Sequence, residues 1–499
     1  MSLLYSRLMH HAILPLMLAP TRSRMRSHVR SIRQRQRWPI EEIQRWQLDL
    51  FRQVVAVANE HSQLYRERLK RSGVTADSIE TLDDIGHIPI TTKSDIETNF
   101  PDRMVVAERR SSDWAYVGTR GTTRRVMVVQ DFERRDAGRA ASMITQVEDS
   151  PYRYGASVVS IPPDACSVHC GLENTRASSV TGQLFSIASF RKPFNRESVS
   201  DLRGLVMDQW VRRSHDLPPL ALDSPGESLP ECIEELRRHR PVQLVALPEY
   251  LRDLARYILR TGDRPQPIPI IRAMGANFPE SWRDEVATAF RGTVREHYGS
   301  REMGPMAFDC IHRDGMHLLT DQHYIEVVRD GKPVDDGEIG QVLVTDLQNY
   351  SMPIIRYQIG DLARLDRRPC RCGRQTPRIK LEGRLEDAFV LSSGRVLTAE
   401  AVSNFFATVP GVADFQLEEK ANELWLLRLV PHDGHELDGD SIIEKFRAFS
   451  GVGGRISVRI VKLIRPESSG KYRHTKSISY SRFDATSTSS TCLAAAPEA

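Results

Sequence analysis

Four short stretches of this chain carry side chains able to act on phosphate and carboxylate groups. The first, Gly118-Thr119-Arg120-Gly121-Thr122-Thr123-Arg124-Arg125, mixes small residues, hydroxyls and guanidinium groups. Backbone N–H groups in such a loop can approach phosphate oxygens, hydroxyls add donors, and arginines supply charge. It lacks the Gly-Lys-Ser/Thr ending of a Walker loop. The second, Tyr298-Gly299-Ser300-Arg301-Glu302, follows a predicted strand. A carboxylate at a strand's C-terminal end in an open α/β sheet can hold a nucleotide-bound metal ion. The third runs from Pro353 to Leu362 and places Asp361 after Gly360, where it could accept hydrogen bonds from two ribose hydroxyls. The fourth, Ser468-Ser469-Gly470-Lys471-Tyr472-Arg473, carries an ammonium that could neutralise developing charge on a carboxylate and an α-phosphate. Taken singly, each also reads as ordinary turn chemistry.

These residues need elements to hold them. Ile43, Trp46, Leu50, Val54 and Val57 recur at helical spacing, which predicts one amphipathic helix from Ile40 to Arg68, closed by Gly73. Thr81–Ile96 predicts a short helix, a proline turn and a helix starting at Thr91-Thr92-Lys93. Ala115–Gln130 and Ala156–Pro162 predict strands around a turn. Past Pro230, helices over 231–239, 250–261 and 280–290 alternate with strands over 242–247, 268–274 and 293–298. That alternation predicts a parallel, layered sheet. Gly315 to Leu365 is strand-rich, with hairpin signals at Asp330-Gly331 and Asp336-Gly337. Residues 163–229 have weak periodicity and predict only mixed structure.

The expected fold class is α/β: a large layered domain over 39–382 with parallel sheets and a β-rich subdomain, then a small α+β domain over 383–484. Residues 1–38 are expected to be a basic, disordered extension and 485–499 a disordered tail.

A chain of 499 residues exceeds one hydrophobic core. Its 40% hydrophobic and 27% charged content is that of a soluble globular protein, and a net charge of +4 gives no argument for nucleic acid or a membrane surface. The charge is uneven: residues 1–38 hold eight arginines and no acidic residue. Such a segment suits a targeting or membrane-surface role, or a solvated extension, which is the reading adopted here. Ala12–Pro20 is too short to span a bilayer, so no stable membrane insertion and a cytoplasmic location are expected. Little aromatic interleaving accompanies the arginines, and nucleic acid is not expected as a partner. Seven cysteines without disulfide-like spacing fit a reducing compartment. Cys370 and Cys372 are close enough to suggest a zinc corner, which Cys310 and His317 could complete; two reduced thiols are the alternative. A zinc ion there would be structural rather than catalytic.

In order and spacing, the four stretches resemble the adenylate-forming superfamily of acyl-CoA synthetases. Within it they are similar to the phenylacetate–CoA ligase and coenzyme F390 synthetase branch. The resemblance starts at Leu64-Tyr65-Arg66-Glu67-Arg68-Leu69 and runs through Ile88-Pro89-Ile90-Thr91-Thr92-Lys93-Ser94-Asp95. It is most specific from Gly337-Glu338-Ile339-Gly340 to Asp361 and in Cys370-Arg371-Cys372-Gly373-Arg374. It leaves out the basic N-terminus and much of 160–230.

The resemblance implies that Thr119, Gly121, Thr122 and Thr123 cradle ATP phosphates. Arg124-Arg125-Val126 replaces the family's Gly-Lys-Pro, so Arg125 would do the lysine's work. It implies adenine contacts from Gly275, Ala276 and Asn277, the last an amide where the family has an acid. Tyr298 would stack on adenine, Glu302 coordinate Mg²⁺ after Arg301 in place of the usual Thr, and Asp361 hold the ribose. Arg384 would lie near an interdomain hinge, and Lys471, on a mobile small domain, would assist adenylation. Leu247, Tyr250, Met274, Met303 and Met306 would line an apolar pocket for an aromatic or medium-length acid. The implied reaction makes an acyl-adenylate and pyrophosphate, then transfers the acyl group to CoA. Two alternatives stay open: an amine or carrier-protein thiol as acceptor, and a non-catalytic nucleotide-binding regulator. The latter is favoured by the altered loop and opposed by Lys471. The sequence fixes no oligomeric state.

Overall fold

A computed structural model of the chain describes residues 3–13, 24–106, 114–118, 126–162, 214–218, 220, 225–276, 278–421, 423–467 and 472–483. It divides into two compact units. The first comprises Met1–Arg26, Met143–His297 and Arg465–Tyr472. Its five-stranded sheet is parallel throughout, in the spatial order Ser214–Asp216, Val158–Ile161, Gln243–Ala246, Ile270–Ala273, Thr293–Arg295. Helices Pro225–His239, Pro248–Thr261 and Glu280–Phe290 bury Ile233, Leu236, Leu254, Ile258, Val286 and Phe290 in the core shared with Leu244 and Ile271. Strand order reverses direction where Val158–Ile161 and Gln243–Ala246 lie side by side. The carboxyl ends at such a switch point are where open α/β sheets accept ligands.

The second unit comprises Ser27–Ser142, Tyr298–Ile464 and Arg473–Ala499. It is built on an eight-stranded sheet in the order Lys332–Pro333, His323–Arg329, Gly340–Asp346, Tyr357–Asp366, Arg378–Arg384, Met316–Leu318, Gly304–Asp309, His297–Ser300. Pairings from the first to the seventh of these strands are antiparallel. Val327, Val342, Val344, Ile359 and Ala363 pack with Phe51, Val54, Leu64 and Tyr65 from helices Ile40–His61 and Gln63–Ser72. Further along, a four-stranded sheet runs Arg455–Ile460, Leu424–Pro431, Val412–Lys420, Thr475–Lys476. It shares a core of Phe406, Phe415, Leu427 and Phe446 with helices Ala399–Ala407 and Gly439–Ser450. Among the described residues no helix is long and apolar enough to cross a membrane.

Several elements differ from expectation. The helix predicted over Ile40–Arg68 is two, because Ser62 is extended (φ −104°, ψ 119°). Its hydroxyl and the Leu64 N–H both donate to the Arg103 carbonyl at 3.0 Å, a tertiary tie that apolar spacing cannot report. The strand predicted over Thr293–Tyr298 is likewise two, and the chain changes sheets at Glu296. Asp330-Gly331 forms the expected two-residue hairpin, both residues at positive φ (51° and 75°) between the paired Arg329 and Lys332. Asp336-Gly337 instead joins two strands that each pair with His323–Arg329. The basic N-terminal segment, expected as disordered, contains the helix Met25–Arg35. Met25, Val29, Ile32 and Gln36 are buried at helical spacing while Arg26, Arg30, Arg33 and Arg37 are exposed, so its charge occupies the outer face. The expected tail and most of 163–229 lie outside the described residues.

One buried side chain ties the N-terminal helices to the large sheet. Arg356 has left-handed backbone geometry (φ 49°) and is almost fully buried. Its guanidinium pairs with Glu326 (3.0 Å) and donates to the carbonyls of Gly86 (2.8 Å) and Ile88 (2.6 Å). Its own carbonyl accepts from the Thr91 N–H (3.0 Å), and Thr91 bridges in parallel to Tyr357. Removing one member of a buried ion pair leaves the other uncompensated, at a cost of about 3–5 kcal/mol. Arg356→Met should therefore lower the urea midpoint by that equivalent, and Arg356→Met with Glu326→Leu should recover most of it. A single variant within about 0.5 kcal/mol of wild type would show that the pair is not structural.

Candidate functional site

The strands Tyr357–Asp366 and Arg378–Arg384 place Asp361 directly opposite Arg384. Gly360 and Gly383 flank this pair at φ +92° and +106°, backbone that L side chains rarely adopt. The ladder slips by one residue beside Leu362. Arg384 Nε lies 3.3 Å from one Asp361 oxygen, and the Tyr298 hydroxyl donates to the other at 2.7 Å. The Asp361 charge holds the Arg384 guanidinium more firmly protonated than usual. Burial, with the Asp361 charge beside it, pushes the Tyr298 phenol well above its ordinary range. Asp361 thus lies within the strand Tyr357–Asp366.

Glu302 sits in the turn between His297–Ser300 and Gly304–Asp309. This turn belongs to the antiparallel sheet, unlike the parallel-sheet strand end expected. It is held from three sides. Gln130 donates to the Glu302 carbonyl at 3.1 Å, Ser300 Oγ accepts the Met303 N–H at 3.1 Å, and His323 Nε2 lies 2.9 Å from the Met303 carbonyl. Arg134 donates to the same Met303 carbonyl and pairs with buried Asp346 at 2.6 Å. The Glu302 side chain is buried, and among the described residues its hydrogen bond is a 3.4 Å contact from the Tyr357 hydroxyl.

Lys93 completes the group, and sequence reasoning gave it only the start of a helix. Thr92 caps the helix Lys93–Asn99 with a reciprocal Thr92–Asp95 box, and Arg68 pairs with Asp95 at 2.6 Å. The ammonium then lies where a Cβ on Gly360 would be 3.6 Å from Lys93 Nζ and 3.5 Å from Arg384 Nη2. Burial and the nearby Arg384 charge lower its pKa, against Glu386, Glu302 and Asp361. Its only signal in the sequence was the Thr-Thr-Lys triplet. Two carboxylates, two cations and a phenol thus converge on the second unit.

Of the other expected site residues, Thr119, Gly121, Thr122, Thr123, Arg125, Asn277 and Lys471 lie outside the described residues. The strands flanking the first loop do pair, Gly118 with Met127. Within the first unit, Gly275 and Ala276 are exposed just beyond the strand Ile270–Ala273, and Met274 is half-buried. Leu247 and Tyr250 are buried in that unit's core, at the start of the helix Pro248–Thr261. Met303 and Met306 are buried in the core of the second. Tyr472, the residue after Lys471, packs on the first unit's core. Burial, with Asp253 nearby, raises its phenol.

A separate cluster joins Cys310, His317, Cys370 and Cys372, whose ligand atoms all lie within 4.8 Å of one another. Cys310 and Cys370 sulfurs are 3.5 Å apart, and His317 Nε2 is 3.2 Å from Cys372 Sγ. The His317 Nδ1 faces the Thr376 carbonyl at 3.2 Å and its hydroxyl at 3.1 Å; a proton on Nδ1 leaves the Nε2 lone pair for a metal beside the sulfurs. Burial pushes the Cys310 thiol up to about 12. Burial also raises Cys372, but hydrogen bonds from the Arg374 backbone and guanidinium outweigh it and leave that thiol below its ordinary value. Edges of a zinc–sulfur tetrahedron measure about 3.8 Å, so the donor set and spacing fit that ion.

No family model matches the chain. It is 27% identical over 376 residues to the phenylacetate-coenzyme A ligase of Escherichia coli, spanning 72% of this chain and 75% of that protein. It is 22% identical over 387 residues to the ligase of the same name from Thermus thermophilus, spanning 76% and 78%. Among solved structures it resembles 2-hydroxyisobutyryl-CoA ligase in its postadenylation state with 2-HIB-AMP, at a TM-score of 0.66 and 19% identity over 91% of this chain and 93% of that one.

His323 supplies a pH test of the Glu302 turn. Burial lowers it from 6.5 to about 4, against the opposing charge of Asp346. Between those values the unfolded chain binds a proton that the native chain does not, so stability rises with pH through this window and is fully present above 6.5. Acidification from pH 7 to 4 should cost about 3 kcal/mol through this residue. His323→Gln should remove that part of the slope in urea melts at pH 7, 5.5 and 4; an unaltered slope would mean His323 titrates normally in the native state.

Proposed function

We propose that this chain, a member of the adenylate-forming enzyme superfamily, activates a carboxylic acid with ATP and passes the acyl group to coenzyme A. The observation that carries the reading is the convergence of Lys93, Glu302, Asp361, Arg384 and Tyr298 described above. It offers acceptors for ribose hydroxyls and cations for phosphate.

In the first half-reaction an oxygen of the acid attacks the α-phosphorus of ATP. The bond to the β-phosphate bridging oxygen breaks, and pyrophosphate leaves. Positioning and charge neutralisation supply the catalysis. Asp361, oriented by Tyr298 and Arg384, accepts from the ribose hydroxyls. Lys93 and Lys471 neutralise charge on the carboxylate and α-phosphate, while Thr119, Gly121, Thr122, Thr123 and Arg125 hold the outer phosphates. Gly275, Ala276 and Asn277, by the resemblance, would contact the adenine.

Glu302 fits a Mg²⁺ role because it is a buried carboxylate whose hydrogen bond among the described residues is long and leaves lone pairs for a cation. Bound there, Mg²⁺ would neutralise phosphate charge. In the second half-reaction the CoA sulfur attacks the acyl carbon, the thiol proton is lost, and AMP leaves. A hinge near Arg384 would let residues 383–484 withdraw Lys471 between the two steps. Leu247 and Met274 directly follow strands of the parallel sheet, and Tyr250 lies at the start of the helix after Leu247. These apolar side chains suit an aromatic or medium-length apolar acid. The four-residue Cys/His cluster holds one structural Zn²⁺.

The reading is tested by acid-dependent exchange of labelled pyrophosphate into ATP, across aromatic and aliphatic acids. Exchange is expected with at least one apolar acid, and adding CoA should convert that acid to a thioester. Amine or carrier-protein products without a CoA thioester would change the acceptor. ATP binding without exchange on any acid would favour a regulatory nucleotide-binding protein. Lys471→Ala and Lys93→Ala should each lower exchange at least 100-fold, about 2.7 kcal/mol of barrier. Undiminished exchange in Lys93→Ala would remove that residue from the site.

A further inference from the structure

Arg374 lies between the Cys/His cluster and the N-terminal segment. It is almost fully buried, and it follows Cys372 by two residues. One guanidinium nitrogen lies 3.5 Å from Cys372 Sγ, and Nε donates to the Gln36 side-chain oxygen at 2.8 Å. The guanidinium also lies over the Phe308 ring, 5.4 Å from its centroid. The next residue, Gln375, donates its backbone N–H to the Gln36 carbonyl at 2.8 Å. Gln36 is itself buried and directly follows the helix Met25–Arg35. The four ligands come from separate places: Cys310 just after one strand, His317 on the next, and Cys370 and Cys372 on the loop between Tyr357–Asp366 and Arg378–Arg384.

Zinc with three thiolates and a neutral imidazole carries one net negative charge, which a buried site must compensate. Arg374 is the cation positioned to do so, and its Nε is directed to Gln36. We infer that zinc bound by Cys310, His317, Cys370 and Cys372 fixes Arg374 and the Cys370–Gln375 loop, and through them clamps the N-terminal arginine helix onto its own unit. This rests on the zinc reading above. With the metal gone, nothing joins Cys370 and Cys372 to Cys310 and His317 through one centre, the Cys370–Gln375 loop is less constrained, and the bonds from Arg374 and Gln375 to Gln36 loosen. The helix end is then free to open. Arg35 and buried Asp321 form a second tie on the same helix, so the expected result is local opening and not release of the whole segment.

The test uses the full chain, with zinc content by mass spectrometry and limited trypsin digestion before and after zinc removal by a thiol-reactive mercurial followed by chelation and reduction. One zinc per chain is expected, and its removal should raise cleavage after Arg30, Arg33 and Arg37 at least tenfold, reversed by adding zinc back. Cleavage between 399 and 460, and the near-ultraviolet dichroism, should stay within twofold of the untreated protein. Gln36→Ala should keep its zinc yet show the raised cleavage, which separates the clamp from any folding failure in cysteine variants. Bound zinc with unaltered cleavage on removal, or unaltered cleavage in Gln36→Ala, overturns the clamp and leaves the zinc reading standing. No zinc, either as isolated or after titration with zinc alone, overturns the zinc reading and the clamp with it.

Discussion

The buried ion pair of Arg356 with Glu326 is the contact on which the rest of the candidate site depends. A guanidinium removed from water must satisfy its donors locally, and here they reach Glu326 and the carbonyls of Gly86 and Ile88. Those carbonyls belong to the segment that leads into Thr91, Thr92 and Lys93. Thr91 is pinned further: its hydroxyl donates to the Ile355 carbonyl at 2.8 Å, and the Tyr65 hydroxyl accepts from the Ile355 N–H at 2.9 Å. One desolvated charge therefore fixes both the entry to a short capped helix and the start of the strand that carries Asp361. The left-handed backbone at Arg356 is tolerated because so many partners determine it.

The same logic of satisfied polar groups organises the Glu302 turn. A single carbonyl, that of Met303, receives both Arg134 and His323, and the Arg134 charge is balanced by Asp346 in the core. These supports are buried, so they hold geometry without facing a ligand. Glu302 and Lys93 are left with few internal commitments, and Asp361 with lone pairs beyond those used by Tyr298 and Arg384. A site built this way is rigid behind and receptive in front. That suits a reaction in which charge must be met in place and little covalent work is asked of the protein.

The cysteine cluster stands apart from this chemistry in role, although it belongs to the same sheet. Its ligands come from the end of one strand, the strand beside it and the loop that leads into a third, which pair side by side in the sheet. The parallel sheet of the first unit follows a different rule, with short strands buried by helices and a switch point that opens at their carboxyl ends. The two sheets therefore differ in how they hold functional residues, one by buried polar networks and one by topology.

The sequence by itself determined the elements whose signals are local. The alternation of strands and helices past Pro230, the Asp330-Gly331 hairpin, the Thr92 cap and the strands on either side of the loop after Gly118 all rest on spacing and turn chemistry within a few residues. The order of Tyr298, Glu302, Asp361 and Arg384 was legible as a pattern, and the Cys/His set as a donor type. What only tertiary structure decided was every feature set by distant partners. Ser62 breaks a helix because Arg103 offers it a carbonyl, and the chain leaves one sheet for another at Glu296 within an unbroken apolar run. The arginine-rich N-terminus folds because Met25, Val29, Ile32 and Gln36 find a buried face, a fact that a count of charges cannot hold. Lys93 joins Asp361 and Glu302 across more than two hundred residues of chain, and Arg374 meets Gln36 across more than three hundred. Periodicity encodes which face of an element is apolar, whereas the partner of a buried charge depends on how the elements are brought together.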